Sequence, residues 1–247
     1  MTEVKKERIA KVIAAAGVCS RRDAEAYIEA GRVFVNGTKL RTPAFTVSNE
    51  DEIVVDGRPL PKKKDTKLWL YHKPAGLVTT ARDPEGRPTV FENLPRGMGR
   101  VISIGRLDLN SEGLLLLTND GALSRHLELP KTGLPREYRV RVNGDIYQED
   151  IDKLAKGATI DGITYRGIRI MPENDFVKGK NQWINVILHE GKNREIRKVM
   201  NAIGLSVNRL IRTSYGPFEL GHLPIGKTME VNSITLKTFL RNIEFKG

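Results

Sequence analysis

Gly105-Arg106-Leu107-Asp108-Leu109-Asn110-Ser111-Glu112-Gly113-Leu114-Leu115-Leu116-Leu117-Thr118-Asn119-Asp120-Gly121 is the most informative stretch of this 247-residue chain. Its first half is rich in short polar residues and reads as a loop. Gly113 to Thr118 then reads as an apolar strand, and Asn119-Asp120-Gly121 as a turn. Arg106 and Asp108 stand two apart on a loop that a buried strand holds from one side. Polar residues fixed by a rigid scaffold are what a reactive site needs. From residue chemistry alone, a weak loop salt bridge explains the pair more simply.

Outward from that stretch, Leu68 to Tyr71, Ile102 to Ile104, Glu137 to Val142 and Trp183 to Leu188 also read as strands. Ile151 to Leu154, Arg194 to Ile203 and Ser233 to Leu240 read as helical. Strand hairpins outnumber strand–helix–strand crossovers, which predicts a mixed, largely antiparallel α+β sheet.

The N-terminal segment has its own pattern. MTEVKKERIAKVIAAAG reads as an amphipathic helix, with Ile9, Val12, Ile13 and Ala16 on one face. Ser20 is placed to cap a second helix with Asp23 as a short capping box, and Gly31 stops it. Val33 and Val35, then Ile53 and Val55, alternate as strands, and Asn36-Gly37 and Asp56-Gly57 make the turns. Leu60-Pro61-Lys62-Lys63-Lys64-Asp65 has the composition of a linker. The expected division is residues 1–64 and residues 65–247.

Lys and Arg outnumber Asp and Glu by 41 to 30, a net charge of +11. Residues 1–64 hold 13 basic and 9 acidic side chains. Such a surplus favours a polyanion, either nucleic acid or an acidic membrane surface. No apolar run approaches the length of a membrane helix, and the start lacks a signal-peptide core. Cys19 is the single cysteine, so no intrachain disulfide is possible, which suits a reducing cytosol. It reads as a small packing residue. The four histidines are far apart, without metal-ligand spacing.

Basic residues cluster around the second helix: Lys5, Lys6, Arg8, Lys11, Arg21, Arg22, Arg32 and Lys39. Arg21 and Arg22 fall in its first turn, where free N–H groups attract phosphate. The pattern Arg8-Ile9-Ala10-Lys11, Gly17, Ser20-Arg21-Arg22-Asp23-Ala24, Ile28, Gly31-Arg32-Val33 and Val35-Asn36-Gly37 resembles the S4-type RNA-binding domain. A DNA-binding helix-turn-helix is the competing reading. The hairpin that follows at once, and Asp23, Glu25 and Glu29 on the second helix, favour RNA.

Residues 105–121 resemble the catalytic signature of the RsuA-like pseudouridine synthases, without a gap. Arg136-Glu137-Tyr138-Arg139-Val140 resembles that family's second motif, and Gly191-Lys192-Asn193-Arg194-Glu195-Ile196-Arg197-Lys198 its third. His72-Lys73-Pro74-Ala75-Gly76-Leu77-Val78-Thr79-Thr80 resembles the opening of its catalytic domain. The resemblance implies that Asp108 is the essential carboxylate, that Tyr138 faces the target base and that Arg197 pairs with the carboxylate. Taken singly, Tyr138 is also explained by half-buried packing and Arg197 by a basic helix face. Asn181 to Val186, Glu190 to Glu195 and Ser206 to Arg212 look closest to the RluB subgroup, which modifies 23S rRNA.

Conversion of uridine to pseudouridine breaks the ribose–nitrogen bond, turns the base and rejoins it through carbon, with no redox change. It calls for an ionised carboxylate and, the resemblance implies, no cofactor. An adjacent guanidinium lowers a carboxylate's pKa by roughly 1–3 units. The base must leave its stack, at a cost of a few kcal/mol. Arg106, Lys192, Arg194, Lys198, Arg209 and Arg212, together with Arg21 and Arg22, are the expected RNA contacts. The expected partner is ribosomal RNA or an assembling large subunit, with a monomeric, cytoplasmic enzyme and no obligate protein partner or membrane. A non-catalytic assembly factor, a synthase acting on 16S rRNA and a DNA-binding regulator are the alternatives.

Overall fold

A short polar loop can hold a reactive group in place only if the elements beneath it are fixed, and here they form one large sheet. The computed structural model describes residues 6–173 and 180–245, so Met1 to Lys5 of the N-terminal reading lie outside the described residues. The chain divides into two compact units. One comprises residues 1–66, 97–101 and 119–121, the other residues 67–96, 102–118 and 122–247.

In the smaller unit the first helix spans Ile9–Ala15 rather than starting earlier, because Glu7–Arg8 pair as a short strand with Thr46–Val47. The second helix, Arg21–Glu29, is capped as expected. Ser20 Oγ accepts from the Asp23 N–H at 3.1 Å, and the Ser20 N–H donates back to Asp23 Oδ2 at 3.3 Å. Val33–Val35 pairs with Thr38–Leu40 and Ile53–Val55, and both turns place an Asn or Asp and a Gly at positive φ. Ile9, Ile13, Ala24, Ile28, Val33 and Cys19 belong to the core beneath, so the single thiol packs as expected. Arg21 and Arg22 stay exposed. Arg32 does not stay free: it makes a bidentate pair with Asp56 at 2.6 Å.

The larger unit is built on a nine-stranded sheet. Its order is Arg169–Pro172, Gln182–Leu188, Arg136–Asn143, Ser206–Tyr215, Glu112–Thr118, Leu68–Lys73 and Thr228–Glu230, with Phe218–Glu219 and Ile102–Ile104 attached. Among the described residues every pairing in this sheet is antiparallel except one, Ser206–Tyr215 beside Glu112–Thr118. The four leucines from Leu114 to Leu117 are wholly buried. Alternate ones, Leu114 and Leu116, join Leu68, Leu70, Leu123, Leu127, Phe218 and Phe239 in one core.

Two differences from the sequence reading matter. Gly121 starts a helix, Gly121–Glu128, instead of closing a turn, and Asp120 before it is buried. The central strand Ser206–Tyr215 is not among the strands read from the sequence, since it runs from a mostly exposed first half to a largely buried second half and no single alternation marks it.

Candidate active site

Asp108 lies on the loop that feeds the central Glu112–Thr118 strand. Five successive carbonyls of that loop each accept a hydrogen bond. Leu107 O accepts from Thr79 Oγ1 at 2.8 Å, and Asp108 O from the Ser111 N–H at 3.0 Å and Lys73 Nζ at 3.2 Å. Leu109 O accepts from the Gly76 N–H at 2.8 Å, Asn110 O from Arg197 Nη2 at 3.2 Å and Ser111 O from Lys73 Nζ at 2.9 Å. The strand after the loop is locked as well. A side chain at Gly113 would meet the Arg212 carbonyl at 2.2 Å, and its φ of +100 suits glycine. The carboxylate therefore stands on a backbone with little freedom left.

A cleft of about 780 Å³ opens beside it, lined among others by Arg106, Asp108, Tyr138, Lys192, Arg194 and Arg212. That volume suits a nucleoside-sized ligand, since ligand pockets run to roughly 300–1,000 Å³. Tyr138 is 8% exposed and sits on the Arg136–Asn143 strand directly opposite Arg212. Facing residues on antiparallel strands share one side of the sheet. The Asp108 carboxylate is about one-third exposed, and Arg194 Nη1 lies 3.6 Å from its Oδ2. Arg194 reaches it from the N-terminal boundary of the Glu195–Ala202 helix, where its backbone adopts the left-handed conformation at φ 51.

The expected partner of Asp108 was Arg197, and the structure places Arg194 there. Arg197 is on the helix proper, where its Nη1 donates to Val207 O at 2.8 Å and its Nη2 to Asn110 O. It holds the loop rather than the carboxylate, although Asp108 is close enough to oppose the downward pull of burial on its pKa. Of the expected RNA contacts, Arg106 is exposed at the cleft. Lys192 lines the cleft but is paired with Glu190 at 2.8 Å. Lys198 is half-buried. Arg209 forms a bidentate pair with Glu112, both bonds 2.8 Å, so its charge is largely answered within the fold. Arg212 is not on the surface at all: it is 2% exposed, with Nε donating to Leu114 O at 2.7 Å.

The family model for RNA pseudouridylate synthases matches residues 67–202, more than half of the chain. The chain belongs to that family. The S4 domain model matches residues 7–53, so this synthase also carries an S4 domain. A Rickettsia felis protein named an RNA pseudouridine synthase is 47% identical, with 94% of this chain and 99% of that one aligned. The ribosomal large subunit pseudouridine synthases B of Pseudomonas aeruginosa and Buchnera aphidicola are 41% and 39% identical. Those alignments cover 92% and 96% of this chain, and 60% and 95% of the two relatives. A crystal structure of a pseudouridylate synthase shares the fold, with a TM-score of 0.66 at 24% identity over 93% of this chain and 98% of that one.

Two buried groups of the synthase escaped the sequence reading. Lys73 is fully buried, and its ammonium donates to the carbonyls of Pro74, Asp108, Leu109 and Ser111 at 2.9 to 3.4 Å. Burial pushes its pKa down to about 8, with the Asp108 and Glu112 carboxylates pulling the other way. A lysine ending an otherwise apolar strand, just before Pro74, was the available signal. Glu195 is 4% exposed, and its Oε2 accepts the Lys192 N–H at 2.8 Å. Burial, reinforced by the nearby Glu190 carboxylate, pushes its pKa up to about 7. Lys192 Nζ and the Arg166 N–H hold Glu190 below the usual range against the opposing effect of its own burial, so the proton resides on Glu195.

The sign of the Glu195 effect follows. Unfolded, a glutamate loses its proton near about 4.3. Folded, Glu195 keeps it to about 7. Its stabilising contribution is therefore complete at low pH and is lost as pH rises through 7. Glu195→Gln keeps the shape of the protonated acid and removes the titration. Its urea midpoint should gain on wild type between pH 5 and pH 8; a constant difference across that range would contradict the assignment.

Proposed function

We propose that this synthase converts one uridine of large-subunit ribosomal RNA to pseudouridine, with Asp108 as the catalytic carboxylate and no cofactor. The observation that carries the reading is a partly exposed Asp108 carboxylate, on a loop whose carbonyls from Leu107 to Ser111 are all held, facing a cleft with room for a nucleoside. The relatives named large subunit pseudouridine synthases B supply the choice of RNA. Tyr138 is the surface on which the flipped base stacks. Arg194, rather than Arg197, pairs with the carboxylate. Arg197 fixes the loop. Arg106 and Lys198 meet the RNA backbone near the cleft, and Lys192 does so if RNA displaces Glu190. Arg21 and Arg22 of the S4 domain add phosphate contacts. We place the enzyme in the cytoplasm, where its ribosomal RNA substrate is made, as a monomer.

The test uses large-subunit rRNA carrying tritium at uracil C5, the carbon that becomes glycosidic. Tritium is released during turnover, and mapping the product locates the target. Retention of tritium with every rRNA substrate would refute the reading. Binding should also weaken with salt, with a log–log slope near −0.7 to −0.9 per phosphate contacted. Arg21→Ala together with Arg22→Ala should shallow that slope by about one to two units. An unchanged slope would remove the S4 domain's first helical turn from the RNA interface.

A further inference from the structure

Three cleft-lining residues carry a buried side-chain atom that has no hydrogen-bond partner among the described residues: Ser111 Oγ, Glu195 Oε1 and Arg212 Nη2. A serine hydroxyl rotates to find a partner, and a protonated glutamic acid donates to its neighbour. Arg212 has neither remedy, because a guanidinium is permanently charged and only donates. No carboxylate among the described residues forms an ion pair with it, and the bond from Nε to Leu114 O fixes its plane. Its charge rests 5.3 Å from the Tyr215 ring, which it shares with Arg136 at 4.6 Å. A buried donor held so firmly, and left unpaired, calls for a partner, and Arg212 lines the cleft.

We propose that Arg212 reads the uracil ring, donating to its C4 carbonyl before the reaction and to its C2 carbonyl afterwards. This rests on the function proposed above. The cleft wall sets Arg212 directly opposite Tyr138 in the strand register, so a base stacked on the phenol ring brings its edge toward the guanidinium. Isomerisation breaks the N1–C1′ bond, gives the base a half-turn about its N3–C6 axis and forms the C5–C1′ bond. The C5 proton leaves and N1 gains one, so the atoms balance. The half-turn exchanges N1 with C5, and also the C2 carbonyl with the C4 carbonyl. One immobile donor thus meets a carbonyl oxygen in both reactant and product. Cytosine would bring an amino group to the same place, donor against donor, and be rejected.

The test compares single-turnover tritium release from rRNA fragments with uridine or 4-thiouridine at the mapped target. Sulfur accepts hydrogen bonds poorly. Wild-type enzyme is expected to slow about 100-fold on the thio substrate, with RNA affinity changed less than about threefold. Arg212→Met should slow about 100-fold on uridine and show no further thio penalty, and Arg212→Lys should recover part of the rate. Wild-type rates on the two substrates within about threefold, or an Arg212→Met enzyme as thio-sensitive as wild type, would overturn the proposal. If Arg212→Met does not fold, the wild-type comparison still decides. Absence of release from the uridine RNA with wild-type enzyme marks failure of the proposed function, not of the Arg212 assignment alone.

Discussion

Asp108→Asn is expected to lower tritium release at least about 10⁴-fold while RNA affinity and folding stability stay near wild type. Asparagine keeps the size of the side chain and removes its charge and its capacity to exchange a proton or attack. The loop should not relax, because its carbonyls are held by Thr79, Gly76, Lys73, Ser111 and Arg197, none of which depends on the Asp108 side chain. The lost contact with Arg194 is 3.6 Å long and partly solvated, and such pairs contribute about 0–1 kcal/mol. Rate and stability are therefore expected to separate cleanly. A variant that keeps a tenth or more of the wild-type rate, or that loses rate only because it melts, would contradict the assignment.

Lys73→Met is expected to cut kcat about 100-fold, chiefly by loosening the loop. Methionine matches the lysine stem in length and is at home in the core. The carbonyls of Pro74 and Ser111 lose their donor, and those of Asp108 and Leu109 lose one of two. Each carbonyl left bare costs about 1–3 kcal/mol, and relief from burying an ammonium offsets part of it. The stability change should accordingly be smaller than the activity change. The wild-type enzyme contains its own version of this experiment. Since the folded Lys73 pKa is about 8, below its ordinary value, the clamp is charged below that pH and loses its proton above it. Activity should fall as pH rises through 8, while the desolvation penalty on stability is relieved over the same range and up to the unfolded value near about 10.4. Lys73→Met should be flat there. Parallel pH profiles would reject the clamp.

Much of this was legible from the chain because local chemistry and tertiary role agreed. The Ser20–Asp23 cap, the Asn36-Gly37 turn and the buried leucines from Leu114 to Leu117 each specify their structure within a few residues. Strand Ser206–Tyr215 was harder, because its neighbours rather than its own alternation decide which residues are covered. Arg209 and Arg212 look alike in sequence, yet one is held by Glu112 at the surface and the other is sealed beside Leu114. The exchange of Arg194 for Arg197 at the carboxylate had the same origin. Only the left-handed backbone at Arg194, which no spacing rule predicts, aims its side chain at Asp108. Lys73 and Glu195 were hidden because charged residues are assumed to be wet until a fold buries them.

The chain of occupied carbonyls from Leu107 to Ser111 has a consequence for the substrate. With those carbonyls each holding a donor from the surrounding fold, the loop has little slack with which to reach outward. Deformation must then be borne by the nucleic acid, which has to deliver its nucleotide to a stationary anvil. Sites already frayed, such as hairpin tips, bulges or junctions, would be modified fastest, and a uridine embedded in a strong duplex would resist.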